Sequence, residues 1–297
     1  MNVTLSILHS AILVMTPLLL ASLGGLFTEL TGMLNIALEG LLLIGSFFGI
    51  IGTYYTGSLL QGIAWGILSA MALSAVMASI TLYLKSNVFI TGLAVNLFAS
   101  GFTVVLSFKL FQNKGVVVFD TIPSLPVFSI PFLKDIPILN ALFSGYSAFV
   151  YVSWFLLFLG YIILKKTVFG FRLRATGLNS QALSSLGIRA NHYRFLAFLI
   201  SGFTCGLGGS LLTLNLGAFV PNITAGKGWI ALVVIFLGNK SPLGLLIASF
   251  LFGLSEAFGN YAQGAFNLPS DFILAIPYLF TLIAMLFYSA FEKRKMG

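Results

Sequence analysis

Charge is scarce in this sequence. Asp, Glu, Lys and Arg make up only 7% of its 297 residues, whereas an average soluble domain carries about 25%. So few charges cannot cover a water-soluble core of this size. Acids are rarest, seven against fifteen Lys and Arg, and the formal net charge is +8. That excess does not point to nucleic acid. The positive residues fall in short stretches beside apolar runs, where membrane insertion places them, and aromatic and basic residues do not interleave as they do in RNA binders. No nucleic-acid partner is expected. Cysteine is represented by Cys205 alone, inside an apolar run, which excludes a disulfide within the chain. His9 and His192 are the only histidines, so a Cys/His metal cluster is excluded too. No HExxH, no GxSxG and no paired aspartates support an intramembrane enzyme.

What the chain does have is oil: 59% of it is hydrophobic. A helix needs about 20 apolar residues to cross a bilayer. Apolar segments fall near 6–27, 33–53, 59–84, 88–111, 147–164, 194–217, 228–239, 242–263 and 271–291. The expected fold is an all-α polytopic membrane protein with about nine or ten spans, some broken, forming one transmembrane domain over 1–297. The 228–239 segment is too short to cross alone. It is expected to extend back through Pro221 and Gly226 as a broken helix, with irregular backbone tolerated where protein or a watery cavity satisfies it. No Lys or Arg precedes Lys85, so the first run lacks the basic start of a cleaved signal and reads as a retained span.

Positive charge sets the orientation. With the N-terminus outside and nine crossings, Lys85, the 165–194 stretch, Lys240 and Lys293–Arg294–Lys295 share the cytoplasmic side, in line with the positive-inside bias. The C-terminus is then cytoplasmic. The 112–146 stretch becomes an external loop. Its Pro123, Pro126, Pro131 and Pro137 forbid one continuous helix, and short broken helices lying on the outer face are expected, as a lipid-interface lid or a docking surface.

Intramembrane polar groups are costly and few. Asn35 and Glu39 are spaced one turn apart, as on one helix face. Glu256, Asn260 and Gln263 recur at steps of four and three and share another face. These residues, with Asn96, are candidates for lining a polar pathway; the alternative is that they are structural glue between helices. Gly202-Phe-Thr-Cys-Gly206 is a small-xxx-small pattern that lets helices pack closely. Gly32-Met-Leu-Asn-Ile-Ala-Leu38 echoes Gly226-Lys-Gly-Trp-Ile-Ala-Leu232, a weak hint of two related halves.

The stretch from Lys165 to Arg194 is the one long polar, basic interruption, with six positive residues and no acid. Within it, Asn179 can cap a short helix and Gly187 can end it. Leu178, Ala182 and Leu186 recur at four-residue steps, and Leu183 adjoins them. So short a helix is unstable alone in water and must rest on the membrane, on its own protein or on a partner. Lys165, Lys166, Arg172 and Arg174 are expected to reach lipid headgroups.

Phe169-Gly-Phe-Arg-Leu-Arg-Ala-Thr-Gly177, followed by Asn179, Ala182 and Gly187-Ile188, resembles the cytoplasmic loop of bacterial ABC-importer permeases of the branched-chain amino acid, simple-sugar and nucleoside family. Thr31-Gly-Met-Leu-Asn-Ile-Ala-Leu-Glu-Gly40 is similar to that family's second span, and Ile90-Thr-Gly-Leu-Ala-Val-Asn-Leu97 to its fourth. Ala225-Gly-Lys-Gly-Trp-Ile-Ala-Leu232, Leu237-Gly-Asn-Lys-Ser-Pro-Leu-Gly244 and Leu251-Phe-Gly253 are similar to its late core. Glu39 favours the nucleoside and simple-sugar branch. One departure is Leu178-Asn179-Ser180, where the family often has an acid, Asn and Pro. The resemblance implies a type II-like permease subunit in a bacterial inner membrane, working with cytoplasmic ATPases, a second permease copy or paralogue, an external solute-binding protein and membrane lipids. Leu178, Asn179, Ala182, Leu183, Leu186 and Gly187 are then the ATPase-docking coupling helix. The implied solute is a nucleoside, then a sugar such as ribose, or riboflavin. No cofactor is expected on this chain, and ATP is used by the partner: Gly226-Lys227 is followed by Gly228, and residue 221 is Pro, so no phosphate-binding loop is present. A rival reading is a proton-driven secondary transporter with Glu39 and Glu256 as carriers.

Overall fold

The protein is described by a computed structural model in residues 3–131, 136–266 and 279. The chain order is α1 (Val3–Leu30), α2 (Leu38–Thr56), α3 (Leu59–Leu82), α4 (Val88–Phe111), β1 (Val117–Val118), β2 (Val127–Phe128), α5 (Pro137–Phe143), β3 (Tyr146–Ser147), α6 (Ala148–Lys166), α7 (Val168–Leu178), α8 (Ser180–Ser185), α9 (Ala190–Leu216), β4 (Ala218–Phe219), α10 (Lys227–Leu237) and α11 (Pro242–Phe266). Seven helices among the described residues are long and apolar enough to cross a membrane: α1, α2, α3, α4, α6, α9 and α11. With the shorter α10 they account for eight of the nine apolar segments. The ninth, near 271–291, lies outside the described residues apart from 279, as do Lys293–Lys295 after it.

Helix boundaries follow local chemistry. Asn87 opens α4, its side chain accepting from the N–H groups of Phe89 and Ile90. Thr167 does the same for α7 through Gly170, and Ser241 for α11 through Gly244. Each cap satisfies N–H groups that a helix start leaves without a partner.

The centre of the bundle is α9, which packs on α1, α2 and α3. Lipid supplies no hydrophobic force between helices, so close contact and hydrogen bonds hold them. The glycine pattern on α9 does the first. A Cβ on Gly206 would stand 2.6 Å from Ile67 Cα, and one on Gly202 2.8 Å from Met71 Cα, both on α3. Buried hydroxyls do the second: Ser74 Oγ donates to Phe198 O at 2.5 Å, and Thr213 Oγ1 to Ser46 O at 2.8 Å. Cys205 is buried and free among these contacts.

The two ends of the bundle differ. One gathers the close of α1, α7, α8, the start of α9 and the turn before α11. There Lys240 pairs with Glu29 at 2.7 Å, and Arg194 Nε reaches Thr31 O at 3.4 Å. The opposite end carries the 112–146 stretch. Expected as short broken helices, it forms one α-helix among its described residues, α5, while β1 pairs antiparallel with β4 and β2 with β3. Pairing replaces helix where Pro123 and Pro126 deny donors to a continuous turn.

The broken seventh segment has a definite form. Eleven residues of α10 reach about 16 Å at 1.5 Å per residue, roughly half of a 30 Å hydrocarbon core. The return from the far end is made by irregular backbone through residues 220–226, in which Asn222, Ala225 and Gly226 have positive φ.

Candidate functional site

The start of α10 lies inside the bundle, and its first N–H groups need acceptors. Glu39, in the first turn of α2, supplies them. Thr224 Oγ1 donates to Glu39 Oε1 at 2.5 Å, Gly226 N to Oε1 at 2.9 Å, and Gly228 N to Oε2 at 2.7 Å. Glu39 therefore sits at two helix N-termini at once, its own and that of α10, and both favour negative charge. All three partners are donors, which suits the acceptor-only carboxylate. Gly228 makes the approach possible, because a Cβ there would stand 2.2 Å from Glu39 N.

Asn35 and Asn96 serve the start of α2. Asn35 is fully buried. Its Oδ1 accepts from Ala37 N at 3.0 Å and its Nδ2 donates to Ser201 Oγ at 2.9 Å. Residues 33–35 are not helical, so Asn35 and Glu39 do not share a helix face as their spacing suggested. Asn competes with the backbone for hydrogen bonds and settles at helix starts rather than inside them. Asn96, from α4, accepts from Gly40 N at 2.8 Å and donates to Ile36 O at 2.9 Å. Three of the six pathway candidates thus meet where two helices begin. The sequence echo marks the same place: Gly32 has φ 78° and Gly226 φ 81°, each leading into a helix start, and Gly228 lies against Glu39.

The other three candidates lie on α11. Glu256 Oε1 takes a hydrogen bond and ion pair from Lys227 Nζ at 2.6 Å, with the two side chains 28% and 12% exposed. This partly buried pair ties α10 to α11. Asn260 and Gln263 continue the same edge and are exposed. On α4, Ser100 Oγ donates to the exposed Asn222 Oδ1 at 2.9 Å. Lys227, Thr224, Asn222 and Ser201 were not among the sequence candidates. Lys227 stands within the quoted Ala225–Leu232 motif, which was the one available signal; its partner is 29 positions away. Both acids proposed as proton carriers are engaged by donors.

At the basic end, 165–194 is not a loop with one helix in it. It holds α7 and α8, joined at Asn179, whose side chain accepts from Ala182 N at 3.0 Å. Gly187 ends α8 with φ 74°. Leu178 and Leu186 are 88% and 75% exposed, and Ala182 is exposed with them. Leu183 departs from the expected docking face: it is 6% exposed and anchors α8 to the rest of the chain. Arg172 Nη1 donates to Tyr193 Oη at 3.1 Å, and Arg174 lies over the Phe171 ring at 4.9 Å, so neither simply extends towards headgroups. Among the described residues no group of three or more His, Cys, Asp or Glu could hold a metal ion.

The model of the family described as branched-chain amino acid transport system, permease component, matches residues 7–288. The nucleoside ABC transporter permease protein NupC of Lactococcus lactis subsp. cremoris is 32% identical, over 96% of this chain and 93% of its own. The guanosine ABC transporter permease protein NupQ of Bacillus subtilis is 34% identical, over 95% of this chain and 91% of its own. A solved chain assigned to a metal-chelate type ABC transporter in an inward-facing conformation aligns with 95% of this chain and 86% of its own, with a TM-score of 0.51 at 16% identity. That likeness concerns the fold.

Proposed function

The chain belongs to the branched-chain amino acid transport system permease family, as a multi-pass permease of an ABC transporter, and from that premise we propose that it is the transmembrane subunit of an importer for nucleosides. The observation that carries the substrate is the end-to-end similarity to two permeases named for nucleosides and guanosine. Ribose-like sugars and riboflavin are the next solutes to compare.

On this reading residues 1–297 form one permease domain in a bacterial inner membrane, with the N-terminus outside and the basic end and C-terminus in the cytoplasm. Separate ATPases bind and hydrolyse ATP; this chain holds no cofactor. They dock on the exposed surface presented by Leu178 at the end of α7, Ala182 in α8 and Leu186 just after it, while Asn179 and Gly187 fix where α8 starts and stops. Their closing and opening moves α8, and through Leu183 the motion reaches the spans. A second copy or a paralogue completes the path, and an external solute-binding protein delivers the solute. Inward and outward states differ in ATPase affinity, which is what lets ATP drive the switch.

The path side of the subunit is the polar edge formed by Ser100 and Asn222, the Lys227–Glu256 pair, Asn260 and Gln263. These groups offer both donors and acceptors to a ribose or a base. Asn35, Asn96 and Glu39 lie behind this edge and hold the two helix starts that shape it.

The test is uptake of labelled guanosine, ribose and leucine in cells lacking their own nucleoside uptake, given this chain with or without its ATPase and binding protein. Guanosine should accumulate only with the full set. Accumulation by the permease alone, abolished by collapsing the proton gradient, would replace this reading with the secondary-transporter one.

A further inference from the structure

Three arginines converge at the basic end, apart from both the polar edge and the docking surface. Arg172 of α7, Arg189 before α9 and Arg194 in its second turn line a hollow of about 770 Å³, together with Ser184, His192 and Tyr193. We propose that this hollow is a binding site for a phosphate-bearing anion, and that its occupation fastens the coupling helix to the spans.

Four observations support it. First, the cations are unpaired: among the described residues the ion pairs are Lys227–Glu256 and Lys240–Glu29. Second, the lining cations of the 165–194 stretch are all arginine. Lys165 and Lys166 stand outside the hollow, at the exposed end of α6, where an orientation bias alone would place charge. Arginine presents a planar fork of donors that matches phosphate oxygens. Third, the arms are held in place. Arg172 is fixed by Tyr193 Oη at 3.1 Å, and Tyr193 is braced by the Phe169 ring at 5.7 Å. Arg194 is steered by Thr31 O and Asn191 Oδ1 at 3.4 and 3.5 Å. Fourth, α9 begins in the hollow without a side-chain cap, so its positive end adds to the arginines.

The hollow also has room for more than a bare phosphate; small-molecule sites typically run to about 300–1,000 Å³. A neighbouring hollow of about 380 Å³ shares Asn191 and Arg194 and adds Lys85, continuing the positive lining towards the close of α3. Ser180 and Ser184 of α8 line the first hollow, but Leu178, Ala182 and Leu186 do not. An anion and a docked partner therefore use different residues of the α7–α8 segment. The phosphate is supplied either by an anionic lipid headgroup or by a soluble phosphate ester of the cytoplasm. In either case it bridges α7, α8 and α9, the elements through which an ATPase would move the spans.

The experiment uses the permease purified with its ATPases in discs of phosphatidylcholine. Inorganic phosphate is titrated against chloride at equal ionic strength, and the melting temperature is followed. A saturable rise with phosphate alone is expected, with an apparent dissociation constant weakened about tenfold or more by Arg172→Gln plus Arg189→Gln, as befits loss of charge-assisted contacts. Arg189→Gln by itself is the second variant, because that side chain is exposed. Discs containing phosphatidylglycerol separate the sources. If the lipid supplies the phosphate, the melting temperature is already raised there and added phosphate has no further effect. If the source is soluble, phosphate titrates equally in both discs. The proposal is overturned if neither phosphate nor phosphatidylglycerol shifts the melting temperature, or if both arginine variants respond as the unmodified protein does. None of these readouts depends on which solute is imported.

Discussion

Glu39 is the residue on which the interior turns. An acidic side chain at membrane depth costs a few kcal/mol on insertion scales, and here the cost is offset by three donors and two helix N-termini. Glu39→Gln keeps the shape but sets an NH2 group among donors. It should lower the stability of the purified complex by about 1–3 kcal/mol, the usual cost of leaving buried donors unsatisfied, and a melting curve unchanged from the parent would contradict the capping role. The Lys227–Glu256 pair makes a contrasting case. Lys227→Met or Glu256→Gln alone strands a partly buried partner, whereas the two together remove it, so a double-mutant cycle should show a coupling of about 0.5–3 kcal/mol. Guanosine uptake should stay low even in the more stable double variant, since the polar edge is gone; normal uptake would make the pair structural only. Much of this chemistry was visible in the sequence, because acids and amides are so few. What spacing could not reveal was Asn35's place outside the helix, since a four-residue step is the same number whether the backbone is coiled or extended. Nor could it reveal that Lys227, which counts as a loop charge by position, reaches Glu256.

At the scale of elements, apolar length was a sufficient guide to the long helices, which begin and end close to the runs of oily residues. It was a poor guide to the basic stretch. The α7 sequence, Val168–Leu178, mixes charge, glycine and apolar residues without a clear period, yet it is helical because Thr167 caps it and Leu173 is fully buried. The four-residue steps pick out Leu178, Ala182 and Leu186, all exposed, but most of α8 is exposed with them, and Leu183, grouped with them by adjacency, is its buried residue. That difference separates two mutations that look alike. Leu186→Asp alters a side chain 75% exposed and should leave the fold intact while weakening ATPase association by about 1 kcal/mol or more, in the range of interface positions that matter. Leu183→Asp buries a carboxylate without a partner and should destabilise the α7–α8 segment itself. Paired pull-down and thermal-melt measurements distinguish them; equal effects of the two substitutions on both readouts would remove α8 as the docking element.

For the whole molecule, sidedness is what converts these parts into a machine. The helices run so that Glu29–Lys240, α7, α8 and the start of α9 share one end, and the strand pairs β1–β4 and β2–β3 share the other. The half-length α10 obeys this alternation only because the irregular 220–226 backbone returns through the bundle to meet it. Positive residues crowd the first end, and loop charge directs such ends to the cytoplasm. Cysteine labelling can read this directly, because the native Cys205 is buried and free and should remain silent towards a polar, membrane-impermeant thiol reagent. Ser180→Cys, in α8, should react in inside-out vesicles and not in intact cells. Asn113→Cys, exposed just after α4, should do the reverse. Adding ATPase should slow modification at a cysteine placed at Leu186 but not at Asn113, because docking covers only the basic end. If residue 180 reacts from outside, the path runs the other way, and the exposed face of α8 could not meet an engine that burns ATP in the cytoplasm.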